Sequence, residues 1–176
     1  MEVLRSISLY VEDKDTPFVL IGGHAVNYYG VSRQTGDIDL LVRLSDKNKW
    51  NNIFFKLHYR EIQNDAVFAR YGADVSAWPI DLMYVDDSTF EKIYDDSEDG
   101  DIGVAEVKII SPEHLVLLKL HALKHFLPER FNKDYNDLIS LLKTEKVKFT
   151  KEELKEICYK YANSELYEKI IREVEL

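Results

Sequence analysis

The sequence predicts an α/β (α+β) fold: a small mixed sheet flanked by helices, followed by a helical C-terminal region. Two observations carry this. Phe18–Ile21 is a short, continuous apolar run rich in β-branched residues, which suits a buried strand, and Ile38–Val42 reads as a second strand of the buried type. From Ser111 onward only the helical period is present. The predicted organisation is a core over 1–110 and a helical region over 111–176, with an active site expected between them. The 176 residues are 45% hydrophobic and 31% charged, which excludes a disordered or collagen-like chain and is enough for a sizeable core.

The elements follow in order. Val3, Leu4, Ile7 and Val11 recur at helical spacing, so Glu2–Val11 reads as a helix that Pro17 closes off. Phe18–Ile21 then forms a strand ended by Gly22-Gly23. His24–Tyr29 returns to helical spacing, with Gly30 as its stop. After the strand Ile38–Val42, Ser45 is expected to cap a helix carrying Trp50, Ile53, Phe54 and Leu57 on one face. Glu61-Ile62 and Val67–Tyr71 read as strands around polar turns, and Pro79–Val85 as a further strand. Phe90–Tyr94 reads as a short helix and Val104–Ile110 as one or two strand pieces. Ser111-Pro112-Glu113 opens a helix whose expected apolar stripe is Leu115, Leu118, Ala122, Leu123 and Phe126. The next helix carries Phe131, Tyr135, Leu138 and Leu142. Thr150–Glu153 fits a capping box and opens the last helical region.

Charge narrows the function classes. The net charge of −9 argues against general affinity for nucleic acid. The acidity is concentrated: Asp86–Asp101, which reads as a loop, has a local charge of −7, whereas Ser111–Lys133 is +2 with three of the five histidines. A local anion site is compatible with that distribution. The one cysteine, Cys158, excludes an intramolecular disulfide and a cysteine-rich zinc site, and agrees with a reducing compartment. No run approaches 18 uncharged apolar residues, and the first thirteen residues lack the apolar core of a signal peptide. No membrane association is expected, and the expected location is cytoplasmic.

The chemistry concentrates in Ile21–Val26 and Arg33–Val42. A strand that runs into two glycines and then a helix offers close backbone approach and free N–H groups, an arrangement that suits a polyphosphate. A tight strand–helix turn needs the same glycines. Asp37 and Asp39 are two apart, so on a strand they share one face, while Ile38, Leu40 and Val42 take the other. Two carboxylates side by side repel, and a divalent cation relieves that; a solvated Asp pair in a turn is the plain alternative. Asp81 heads the apolar strand Pro79–Val85. If that strand lies beside Ile38–Val42, the three carboxylates converge. Asp74, on a loop, is the rival third position.

Gly-Gly, a short helix, then Arg33-x-Thr35-x-Asp37-x-Asp39 with an apolar tail resembles the polymerase-β-type nucleotidyltransferase superfamily. The detail is similar to its AbiEii-like branch of abortive-infection and toxin–antitoxin proteins. Lys119 and Lys133-Asp134-x-x-Asp137-Leu138 resemble the later motifs of that branch, so the likeness extends to about Leu142. Many superfamily members have Gly-Ser where this chain has Gly22-Gly23, followed here by His24.

The resemblance implies a two-metal nucleotidyl transfer. Asp37, Asp39 and Asp81 would hold Mg²⁺ or Mn²⁺, and Asp81 would help deprotonate an acceptor hydroxyl. Gly22 and Gly23 would cradle the phosphates of a nucleoside triphosphate. His24, Arg33, Thr35, Lys119 and Lys133 are candidate contacts to that nucleotide. Each has a plain alternative: Arg33 orients Asp37 or Asp81, Thr35 bonds the turn, Lys119 snorkels from its helix, and Lys133 pairs with Asp137 at i, i+4. His114, His121 and His125 share one helix, as a metal pair or a solvated strip. Tyr28 and Tyr29 either stack a base or pack in the core. The resemblance implies an RNA or protein acceptor and an antitoxin partner. A small-molecule acceptor drawn by the acidic Asp86–Asp101 stretch is the alternative, and a non-catalytic nucleotide-binding or partner-binding module is the third reading.

Overall fold

The computed structural model describes residues 2–12, 15–73, 77–124 and 128–174. It divides into two compact units. The first takes in the residues up to Ala25 together with Arg33–Ser111, and the second comprises Val26–Ser32 and the residues from Pro112 onward.

The first unit is built on a seven-stranded mixed sheet of order β3-β4-β5-β2-β1-β7-β6. In chain order, helix α1 (Glu2–Glu12) is followed by β1 (Val19–Leu20), and α2 begins at once (Gly22–Tyr28). Strand β2 (Ile38–Arg43) leads through a 3-10 turn into α3 (Lys47–Lys56). The hairpin β3 (Arg60–Asn64) and β4 (Phe68–Gly72) precedes β5 (Ile80–Val85) and α4 (Asp87–Asp95). A second hairpin, β6 (Glu98–Asp101) and β7 (Glu106–Ile109), closes the other edge. The central pairing is β2 with β5, parallel and in unbroken register from Ile38↔Ile80 to Arg43↔Val85. Leu40, Leu41, Ile80 and Leu82 are fully buried, as expected of strands covered on both faces. Helix α3 packs Trp50, Ile53 and Phe54 inward, with Phe54 stacked 4.3 Å from the Tyr71 ring.

The second unit contains α5 (Pro112–Lys124), α6 (Pro128–Leu142), α7 (Lys151–Tyr161) and α8 (Ser164–Ile171). The Thr150 capping box forms with both of its reciprocal bonds. Gly30 takes φ +91 after α2, as its place at the helix stop requires. No helix among the described residues is long and apolar enough to cross a membrane.

Four expectations are corrected. Ser45 does not cap α3: it lies in the 3-10 turn Leu44–Asp46, and its Oγ donates to Asp87 Oδ1 at 2.7 Å. The Asp86–Asp101 stretch is not a loop. Asp86 caps α4 by accepting from the Thr89 N–H, and β6 pairs with β7 despite its poor strand propensity, because tertiary pairing outweighs it. The buried face of α5 is Leu115, Val116, Lys119, Leu120 and Leu123; Leu118 is half-buried and Ala122 exposed. Lys119 stands on the inner face while Leu117 and Leu118 stand off it, so the apolar period alone does not fix the phase of that face. Finally, Asn163 caps a separate α8, splitting the last helical region in two.

Candidate active site

The site grows from the β2–β5 pairing. Parallel register puts Asp39 opposite Asp81, and Asp37 lies two residues before Asp39 on the same side of the chain. Carboxylate oxygens of Asp37, Asp39 and Asp81 all lie within 4.8 Å of one another. Two unit charges at about 4 Å interact by about 4 kcal/mol at an effective dielectric of about 20, so three carboxylates this close repel one another and favour a cation among them. Among the described residues this is the one group of three or more His, Cys, Asp or Glu side chains placed to share an ion. Asp74 and His125 lie outside the described residues. His121 is exposed and His114 half-buried.

Strand β1 fixes the neighbouring glycines. The Ile21 N–H donates to the Asp39 carbonyl at 3.0 Å, which brings Gly22 against the Asp39 side chain. Gly22 adopts φ +64, and a Cβ there would fall 2.0 Å from Asp39 Oδ2. At Gly23 a Cβ would fall 2.2 Å from an Arg33 Nη and 2.6 Å from Thr35 Oγ1. The space a serine would need is therefore filled by Arg33 and Thr35, which accounts for Gly23 in physical terms.

The flanking residues divide by what they touch. Thr35 Oγ1 donates to Asp37 Oδ1 at 3.0 Å. Arg33 donates to the Gln34 carbonyl at 2.9 Å. His24 stacks on Trp78 with ring centroids 5.3 Å apart. Burial lowers its pKa, Arg33 acts in the same direction, and Asp37 opposes. His24 is thus biased toward the neutral form, which suits stacking better than pairing with an anion.

Arg70 escapes the sequence reading. It sits on β4 opposite Asp81, with Nε 3.5 Å from Asp81 Oδ1 and Nη2 3.8 Å from Asp37 Oδ2. It is placed to orient both carboxylates. Its signal was its position in a strand two before Gly72, uninformative until β4 is known to pair with β5.

Lys119 and Lys133 belong to the second unit. Lys119 is buried, and its Nζ donates to Asp134 Oδ1 and Asp137 Oδ2, both at 2.7 Å. Asp137 is 4% exposed, so the i, i+4 surface pair expected with Lys133 is replaced by a buried contact to Lys119, and Lys133 is exposed. Tyr29 is buried and Tyr28 exposed. Burial pushes the Cys158 thiol up to about 12, which removes it as a nucleophile.

The acidic stretch lies elsewhere on the sheet. Asp81 is at the start of β5, whereas Asp86 follows its end, ~16 Å further at ~3.3 Å per residue. Asp86 binds Ser88 and Thr89, Asp87 accepts from Ser45, Glu91 pairs with Arg43, and Asp99 with Lys108. Asp101 accepts from the Gly103 N–H, so local bonds engage most of these acids.

Two substitutions test the packing. Gly22→Ala is expected to destabilise by about 1–3 kcal/mol and to weaken Mn²⁺ binding, because Asp39 must move; urea midpoints and Mn²⁺ titration measure each. Lys119→Ala is expected to cost about 3–5 kcal/mol in urea unfolding, since it leaves two buried carboxylates without their ammonium.

No protein-family model matches the chain, and no curated protein sequence does. Solved structures do match. The crystal structure of ANT(2")-Ia in complex with adenylyl-2"-tobramycin aligns with a TM-score of 0.65 at 16% identity, covering 90% of this chain and 94% of that one. The lincomycin-bound lincosamide antibiotic adenylyltransferase LnuA aligns with a TM-score of 0.57 at 16% identity, covering 80% and 96%. An antigenic nucleotidyltransferase-like protein from Paracoccidioides brasiliensis aligns with a TM-score of 0.55 at 16% identity, covering 80% and 73%. The mixed sheet with its flanking helices is therefore the nucleotidyltransferase fold.

Proposed function

We propose that the chain is a nucleotidyltransferase that moves a nucleoside monophosphate from a nucleoside triphosphate to an acceptor hydroxyl. The observation that carries this reading is the convergence of Asp37, Asp39 and Asp81 at the heads of two paired parallel strands. The set is all oxygen and closely spaced, and Gly22 leaves Asp39 the room a Cβ would fill, so these residues fit a hard divalent cation such as Mg²⁺ or Mn²⁺. When bound, the cation neutralises triphosphate charge and stabilises the developing pyrophosphate.

The chain's own residues supply the rest. Asp37 and Asp39 hold the cation, and Thr35 fixes Asp37 by its hydroxyl. Asp81, the most buried of the three, helps hold the cation and accepts the acceptor's hydroxyl proton. The acceptor oxygen forms a bond to the α-phosphorus as the bond to pyrophosphate breaks. Gly22 and Gly23 bring backbone close to the phosphates, with Arg33 beside them. Lys119 supports its own helix pair through Asp134 and Asp137.

Two acceptor classes have support. For a toxin-type enzyme acting on RNA or protein and restrained by an antitoxin, the support is the motif-like grouping of Lys119, Asp134 and Asp137. For a small-molecule enzyme, it is alignment over 94% and 96% of the two antibiotic-modifying chains. The acidic stretch gives the second little support, because Asp86 follows the far end of β5 and Glu98–Asp101 lie on the sheet edge, three strands from β2.

The test offers each α-labelled NTP with Mg²⁺ to total RNA, to cell protein and to an antibiotic panel. Label is expected to transfer to one class with release of pyrophosphate. Asp39→Asn is expected to lower that rate by about 10³-fold or more. An Asp39→Asn enzyme with full turnover contradicts the assignment.

A further inference from the structure

We propose that Arg70 is the resident counter-ion of the carboxylate cluster and the group a divalent cation must displace, so that Arg70 couples metal binding to nucleotide binding. This rests on the reading of Asp37, Asp39 and Asp81 as metal ligands. Arg70 stands opposite Asp81, and Asp81 opposite Asp39, in one row across β4, β5 and β2. Directly opposed cross-strand side chains lie about 4.5–5.5 Å apart at Cβ, so the guanidinium is held beside the cluster by the sheet register.

The contacts are those of a loose ion pair. At 3.5 Å and 3.8 Å they are within reach for charge pairing but longer than a good hydrogen bond, and they lack the parallel fork of a tight Arg–carboxylate pair. The Arg70 side chain is 36% exposed, against 10% for Asp81, so the guanidinium has water on one side to move into. A cation taking Asp37 and Asp81 competes for the same oxygens that Arg70 faces. Once displaced, the guanidinium remains tethered on β4 next to the site, with donors matched to phosphate oxygens. A bare cation therefore binds against Arg70, whereas a cation arriving with a triphosphate gains Arg70 as a partner.

Mn²⁺ titration of the full chain, followed by electron paramagnetic resonance of the free ion, tests this with and without a non-hydrolysable NTP analogue. R70Q is expected to bind Mn²⁺ alone about tenfold more tightly than the parent, and to gain less from the analogue. R70K keeps the charge but cannot span both carboxylates, and its affinity is expected to fall between the two. R70Q is also expected to melt at lower temperature in EDTA and to recover in Mn²⁺. Unchanged or weaker Mn²⁺ binding in R70Q and R70K overturns the proposal. A parent chain that binds no Mn²⁺, or whose binding survives Asp39→Asn, overturns the metal site itself and the Arg70 proposal with it.

Discussion

The mutual repulsion of three carboxylates held within 4.8 Å is the constraint on which the site depends. Unfolded chain avoids that repulsion, and the sheet enforces it. Six consecutive residue pairs fix β2 against β5, and a slip of one residue would send Asp81 to the opposite face. The apolar residues of both strands supply the energy that holds this register, with Leu40, Leu41, Ile80 and Leu82 fully buried. Core packing thus preorganises the acidic cluster. Thr35, Gly22 and Arg70 adapt to it, one by a hydroxyl, one by leaving space and one by charge.

The cluster was legible because its residues lie in short, strongly patterned segments. Asp37 and Asp39 were read from a two-residue spacing at a strand head, and Asp81 from an acid in an apolar run. What sequence alone could not supply was the pairing of β5 with β2, on which convergence depends. The same dependence hid Arg70, since β4 must be placed beside β5 before an arginine in a polar hairpin acquires meaning. Gly23 is the converse case. The sequence offers glycine as a phosphate contact, and the structure adds that Arg33 and Thr35 already claim the space a side chain would take.

In part of the fold, tertiary partners outweigh local signals. The acids of Asp86–Asp101 read as solvated loop, yet most of them bind neighbours and the last four residues pair with β7. In helix α5 the inner stripe includes Lys119 while Leu117 and Leu118 stand off it, so apolar residues alone do not reveal which side faces inward. Lys119 lies on the inner face, and burial there is tolerated because two aspartates of α6 meet its ammonium. A lysine that reads from sequence as a nucleotide contact or a snorkelling side chain is, in the folded chain, part of the packing of its own unit.

The central claim is that Asp37, Asp39 and Asp81 form a cation-dependent nucleotide site. Calorimetric titration of the four NTPs, with and without Mg²⁺, into the parent chain and an Asp37→Asn/Asp39→Asn double variant tests it most directly. The account predicts saturable binding of at least one NTP that requires Mg²⁺ and is lost in the double variant. Binding of equal strength without Mg²⁺, or retained when both aspartates are replaced, would contradict it.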